Sequence, residues 1–213
     1  MKTDELIDML ATGPDVALAR ATAGRNVLLV LGALLLSGLL MGVTLGLRPH
    51  LGLAVALPAF WLKFVFSVAL AGAGWLAARR LSAPGSRLGQ LPLVVGAPIV
   101  LVWLVAAAVL AQSAPELRGA LFWGSTWRYC PVLIALMSLP VFAATLCIMR
   151  QLAPTRLRLA GAAAGLASGG AAAALYCLHC PEMSAAFVGF WYLLGILVPT
   201  AIGALIGPRV LAW

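Results

Sequence analysis

Six apolar runs of about 20 residues decide what this chain can become. They cover roughly 27–47, 58–78, 91–112, 131–150, 157–178 and 184–206. A helix needs about 20 apolar residues to cross roughly 30 Å of hydrocarbon. Within lipid every backbone polar group must be bonded internally, so only a helix bundle or a closed barrel is open to the chain. Barrel strands alternate apolar and polar residues, and these runs do not. Only 9% of the residues are charged, against about 25% in a soluble domain. The expectation is an all-α, polytopic bundle of six transmembrane helices, residues 27–213, preceded by a short amphipathic segment, residues 1–26. Lipid is its bulk partner. The first apolar run is too long for the core of a cleavable signal peptide.

The connecting segments carry the charge. Lys2, Arg20, Arg25, Arg79, Arg80, Arg87, Arg150, Arg156, Arg158 and Arg209 fall on one set of connections, and Arg48, Arg118 and Arg128 on the other. Ten basic residues against three put both termini in the cytoplasm by the positive-inside rule. The same rule accounts for the net charge of +8 without nucleic acid, and no basic patch is interleaved with solvent-facing aromatics. No direct nucleic-acid binding is expected. The loop around His50, the loop 113–130 and the turn 179–183 then face outward.

The head 1–26 holds Asp4, Glu5, Asp8 and Asp15, four of the six acidic residues of the chain. Thr3 can cap a short helix with Asp4 and Glu5 in its first turn, and Leu6, Ile7 and Leu10 fall on one face. Gly13-Pro14 ends it. The segment reads either as a solvated leader or as a docking helix for a cytoplasmic partner, with Thr3, Asp4, Glu5, Leu6, Ile7 and Leu10 as the contact residues. Small-residue stripes at Gly38, Gly42 and Gly46, and at Gly161, Gly165 and Gly169, fit close helix packing. Phe122, Trp123, Trp127 and Tyr129 in the loop 113–130 suit an interfacial anchor or a binding platform.

The chemistry concentrates in Cys177-Leu178-His179-Cys180-Pro181-Glu182, a polar island between the last two runs. On the expected topology Cys130 and Cys180 lie on the same outer side, while Cys147 lies near the inner end of its run. Disulfides persist in an oxidising periplasm and not in a reducing cytosol. For Cys130 and Cys180 a structural disulfide, a switchable thiol pair and simple packing all stay open. A Cys177–Cys180 bond spans one helical turn and constrains nothing between helices, although it would serve as a redox couple. His50, His179, Glu116 and Glu182 lie on the same side as these thiols. Thiolate with imidazole suits zinc or a softer ion, but one such cluster without a second motif leaves the metal unknown. His179 capping a helix end is the plainer alternative. Lys63 is the one charge well inside a run. It either snorkels to the headgroups or sits under the island, where its ammonium would make a thiol more reactive. Glu182 is then its candidate counter-ion.

No nucleotide loop, HExxH motif or paired outward carboxylate is present, so no enzyme and no cofactor are expected. Every Asp and Glu lies outside the spans, which argues against a proton-coupled transporter. The competing activity is a membrane thiol–disulfide oxidoreductase working through Cys177, Cys180 and Cys130.

Three stretches carry a family resemblance: Met1-Lys2-Thr3-Asp4-Glu5-Leu6-Ile7, Phe60-Trp61-Leu62-Lys63 and Leu178-His179-Cys180-Pro181-Glu182. In these, and in length and span count over nearly the whole chain, the sequence resembles the NrsF family. That family comprises bacterial six-helix inner-membrane proteins that negatively regulate extracytoplasmic-function sigma factors. The resemblance implies that the head helps hold a sigma factor at the membrane. It also implies that two periplasmic cysteines, matched here by Cys130 and Cys180, are needed for the response to oxidants or heavy metals. Cys147 and Cys177 do not match that pattern, which leaves open whether Cys177 competes for the bridge.

Overall fold

The computed structural model describes residues 3, 5, 16–82, 89–152 and 154–212. Thr3 and Glu5 are helical and exposed. The other docking residues (Asp4, Leu6, Ile7 and Leu10) lie outside the described residues, as does Arg87.

Every element among the described residues is helical. Among the described residues five helices are long and apolar enough to span a membrane, or six when a bent pair is taken as one span. α1 (Val16–Thr44) runs without a break through the expected boundary at residue 26. At 29 residues it is about 43 Å long, more than roughly 30 Å of hydrocarbon. It stops where Gly46 turns to φ 75°, a conformation that costs an L side chain but not glycine. A short α2 (Leu51–Val55) leads to α3 (Pro58–Leu81), and α4 (Leu91–Gln112) follows. The aromatic loop contains a helix of its own, α5 (Pro115–Trp123). The fourth crossing is α6 (Cys130–Met137) and α7 (Leu139–Arg150), set at 42° to each other. Pro140 supplies no N–H and its ring crowds the carbonyl four residues back, so the helix bends there. α8 (Leu157–Tyr176) is followed by α9 (Ala185–Val210), which contains a π turn at Val188–Tyr192.

α8 is the axis of the bundle and packs mainly against α9 and α3. Glycines bring the backbones together. A Cβ at Gly165 would strike the Pro199 carbonyl, one at Gly161 the Gly203 carbonyl, and one at Gly74 the Ala167 backbone. The stripe expected in the first span behaves differently. A Cβ at Gly42 would meet nothing, and one at Gly38 only Leu175 at 3.9 Å. Those glycines do not mediate a tight helix contact, because α1 lies on the outside of the bundle, against α7 and α8.

The two ends differ chemically. One gathers the helix ends that carry Arg79, Arg80, Arg150 and Arg209, and Arg25 donates there to Gln151 at 3.0 Å. The other holds Cys130, Cys177 and Cys180 in one apolar cluster with Phe60, Tyr176 and Tyr192. We call these the arginine end and the thiol end.

Candidate functional site: a buried thiol cluster

Pro181 shapes the site. It disfavours helical geometry at Cys180 and cannot continue a helix itself. α8 therefore ends at Tyr176, and the chain turns through 177–180 with the Cys180 N–H on the Tyr176 carbonyl at 3.0 Å. The turn leaves the Cys180 and Glu182 carbonyls without helical partners. Lys63 takes both.

Lys63 is fully buried. It lies on the inner stripe of α3 with Phe60, Ser67 and Leu70, facing α8. Its Nζ donates to the Cys180 carbonyl and to the Glu182 carbonyl, each at 3.0 Å, and sits 5.5 Å from the Tyr192 ring centre. The snorkelling alternative is thus overturned. The two carbonyls and the ring face offset the cost of burying the ammonium. Glu182 is not its counter-ion. Its Oε1 accepts from the Ser125 N–H and the Ser125 hydroxyl, both at 2.7 Å. That contact ties the 113–129 loop to the island, and Gly124 fits beneath it at φ 56°, where a Cβ would stand 2.8 Å from the carboxyl carbon.

The three thiols of the cluster are fully buried and free, and each has its own environment. The Cys177 thiol donates to the Ala173 carbonyl at 3.2 Å, along its own helix. The Cys130 thiol, at the start of α6, lies in the same buried cluster as the Cys180 sulfur. The Thr126 hydroxyl is 3.9 Å from that sulfur. Cys180 is held below the ordinary thiol range, first by the neighbouring Cys130 thiol and then by the positive charge of Lys63, against the opposing effect of burial. Cys147 is exposed on α7 and is not part of the cluster.

His179 does cap a helix end, but not that of its own helix. Its Nδ1 donates to the Gly46 carbonyl just beyond α1 at 2.9 Å, which leaves Nε2 without a proton in the neutral ring. Next to it the Arg48 N–H donates to the Leu178 carbonyl at 3.0 Å. The island is therefore bonded to the end of α1, to α3 and to the 113–129 loop. The metal-ligand set that the sequence left open does not assemble: no group of three His, Cys, Asp or Glu among the described residues is placed to hold an ion. His179 is committed to Gly46 and Glu182 to Ser125. Of the loop aromatics, Phe122 and Trp127 pack against the core, while Trp123 and Tyr129 are exposed. Trp191 of α9 donates to the Phe122 carbonyl at 3.0 Å and stands 5.1 Å from the Trp127 ring.

The family model for NrsF, described as negative regulator of sigma F, matches residues 10–213. The chain belongs to the NrsF family. Over 213 residues, all of both chains, it is 48% identical to the probable anti-sigma-F factor NrsF of Azospira oryzae. It is 40% identical over 216 residues, again the whole of both chains, to the anti-sigma-F factor NrsF of Caulobacter vibrioides. No solved structure matches it.

For this NrsF family member, sequence reasoning missed Tyr192, Ser125 and Thr126. Tyr192 had a signal, since a lone tyrosine hydroxyl inside an apolar run must face something polar. It is fully buried in the thiol cluster, and its hydroxyl has no hydrogen-bond partner among the described residues. Ser125 and Thr126 had none, because their partners lie more than 50 positions away.

Proposed function

We propose that the chain is a transmembrane anti-sigma factor of the bacterial inner membrane, with both termini cytoplasmic. Its head, through Thr3, Asp4, Glu5, Leu6, Ile7 and Leu10, sequesters an extracytoplasmic-function sigma factor. Oxidant or heavy-metal stress acting on Cys130 and Cys180 at the periplasmic face releases it. Family membership and the names of the two relatives support the anti-sigma role. The segregation of arginines to one end supports the orientation.

The observation that carries the sensing half is the hub. The loop holding Cys180 is hydrogen-bonded to residues 46 and 48 at the end of α1. α1 is also the helix that runs back across the bundle toward the head. A bond formed between Cys130 and Cys180 moves a loop that grips the end of that helix. The oxidoreductase alternative has less behind it, since Cys177 is hydrogen-bonded within its own helix and Cys147 is outside the cluster.

The test is co-purification of the sigma factor with the full chain and with a Cys130→Ser/Cys180→Ser variant, with and without oxidant or metal. Release from the wild type alone is expected. Equal release from both would remove the sensing role, and a head-deleted chain that still retains the sigma factor would remove the docking role. Quinone reduction in detergent by the full chain would favour the oxidoreductase.

A further inference from the structure

The thiol pair is chemically unequal, and the inequality assigns an order of reaction. We propose that Cys180 is the thiol that attacks a two-electron oxidant of the peroxide class, that Cys130 resolves the product into a disulfide, and that Lys63 is the positioning residue that arms Cys180. The proposal rests on the reading of Cys130 and Cys180 as the sensing pair.

Geometry separates the roles. A sulfur that accepts hydrogen bonds is stabilised as thiolate, and one that donates is held as thiol. Cys177 donates to the Ala173 carbonyl and is held as thiol. The Cys180 sulfur instead has the Thr126 hydroxyl 3.9 Å away. Lys63 is fixed to the same loop by two hydrogen bonds of 3.0 Å, one of them to Cys180's own carbonyl. It has no carboxylate partner among the described residues, because Glu182 turns its carboxylate to Ser125. The acidic partners left within reach of this buried cation are the thiols. The groups facing Cys180 from the packed elements are Lys63 of α3, Cys130 of α6, Tyr176 of α8, Cys177 just beyond α8 and Tyr192 of α9. Of these only Lys63 carries a positive charge. The lowered pKa of the Cys180 thiol agrees with this arrangement.

The step balances. The Cys180 thiolate attacks a peroxide oxygen, the S–O bond forms as the O–O bond breaks, and the departing hydroxide takes up a proton to leave as water. Cys130 then attacks the Cys180 sulfenic acid, the S–S bond forms as the S–O bond breaks, and the hydroxyl leaves as water with the Cys130 proton. Two thiols lose two electrons, and hydrogen peroxide becomes two waters. When the disulfide forms, Cys180 no longer carries a negative charge to balance Lys63.

The test uses the full chain in detergent, hydrogen peroxide as oxidant and a sulfenic-acid trap read by mass spectrometry. Cys130→Ser should accumulate the trapped adduct at Cys180, and Cys180→Ser should give none at Cys130. An adduct at Cys130 in the second variant would reverse the order and overturn the proposal. Lys63→Met, checked for helicity, should slow alkylation of Cys180 at pH 7 roughly tenfold and move its pH midpoint upward. Lys63→Arg should restore most of both. A folded Lys63→Met protein with an unchanged pH midpoint would end the role of Lys63. These readouts need no sigma factor. If they hold while release from the membrane fails, the chemistry stands and the regulatory reading falls.

Discussion

At the scale of single residues, the site is organised by what each polar group does when water is excluded. Lys63 shows the logic. An ammonium in an apolar bundle must find acceptors, and the turn forced by Pro181 provides two carbonyls that no helix uses. Glu182 performs a separate task, fastening the 113–129 loop over Cys180 through Ser125. Removing the carboxylate with Glu182→Ala should weaken that closure by about 1 kcal/mol, which raises the open population about fivefold. The rate of Cys180 alkylation at fixed pH measures it. An unchanged rate would mean that the loop does not gate the thiol. His179 makes a similar prediction for the neighbouring loop. His179→Ala removes the bond to Gly46 and should increase amide hydrogen exchange at residues 45–48, with little change in the centre of α8.

At the scale of elements, glycine placement decides which helices are immobile. Gly161 and Gly165 of α8 lie against backbone carbonyls of α9, so added side-chain volume cannot be absorbed by rotating a rotamer. Gly165→Leu should destabilise the bundle by about 3 kcal/mol, while Gly42→Leu on α1 should be nearly neutral. Thermal unfolding of the two variants in the same detergent compares them, and equal losses would contradict the packing. α3, α8 and α9 thus form a close-packed frame. α1 is held from outside, by Arg25 to Gln151 at one end and by the His179 and Leu178 contacts at the other. An exposed hydrogen bond of the first kind contributes little. The thiol end is therefore where the attachment of α1 is most open to adjustment.

At the scale of the whole molecule, the thiol end and the arginine end sit at opposite ends of a bundle that is roughly a bilayer thick. A disulfide from Cys130 to Cys180 closes a segment of 51 residues, 180 − 130 + 1. It should stabilise the folded state by about 4 kcal/mol in the chain-entropy model. Denaturation of the peroxide-treated and reduced full chain compares the two states. Loss of stability on oxidation would mean that the native arrangement resists the bond. The bond joins α6 to the turn between α8 and α9, so the constraint falls on the frame, and its movable neighbour is α1.

The sequence by itself determined the solvent and the class of fold. Runs of 20 apolar residues leave a helix bundle in a membrane as the solution, whatever the detailed packing. It also placed Cys130, Cys180 and Lys63 at one end, because span order alone sets the end on which a residue falls. Tertiary structure decided the partners. Lys63 lies on the same stripe of α3 as Phe60 and Leu70, yet which acceptors lay beneath it depended on how the turn at Pro181 meets α3. Helix periodicity tells which way a side chain faces, not what another segment brings there. That is why Glu182 was assigned to Lys63 but binds Ser125, and why the glycines of α1 and α8 look alike in sequence but only those of α8 carry close helix contacts. Hydrogen bonds between residues more than 50 positions apart leave no local trace in composition or spacing.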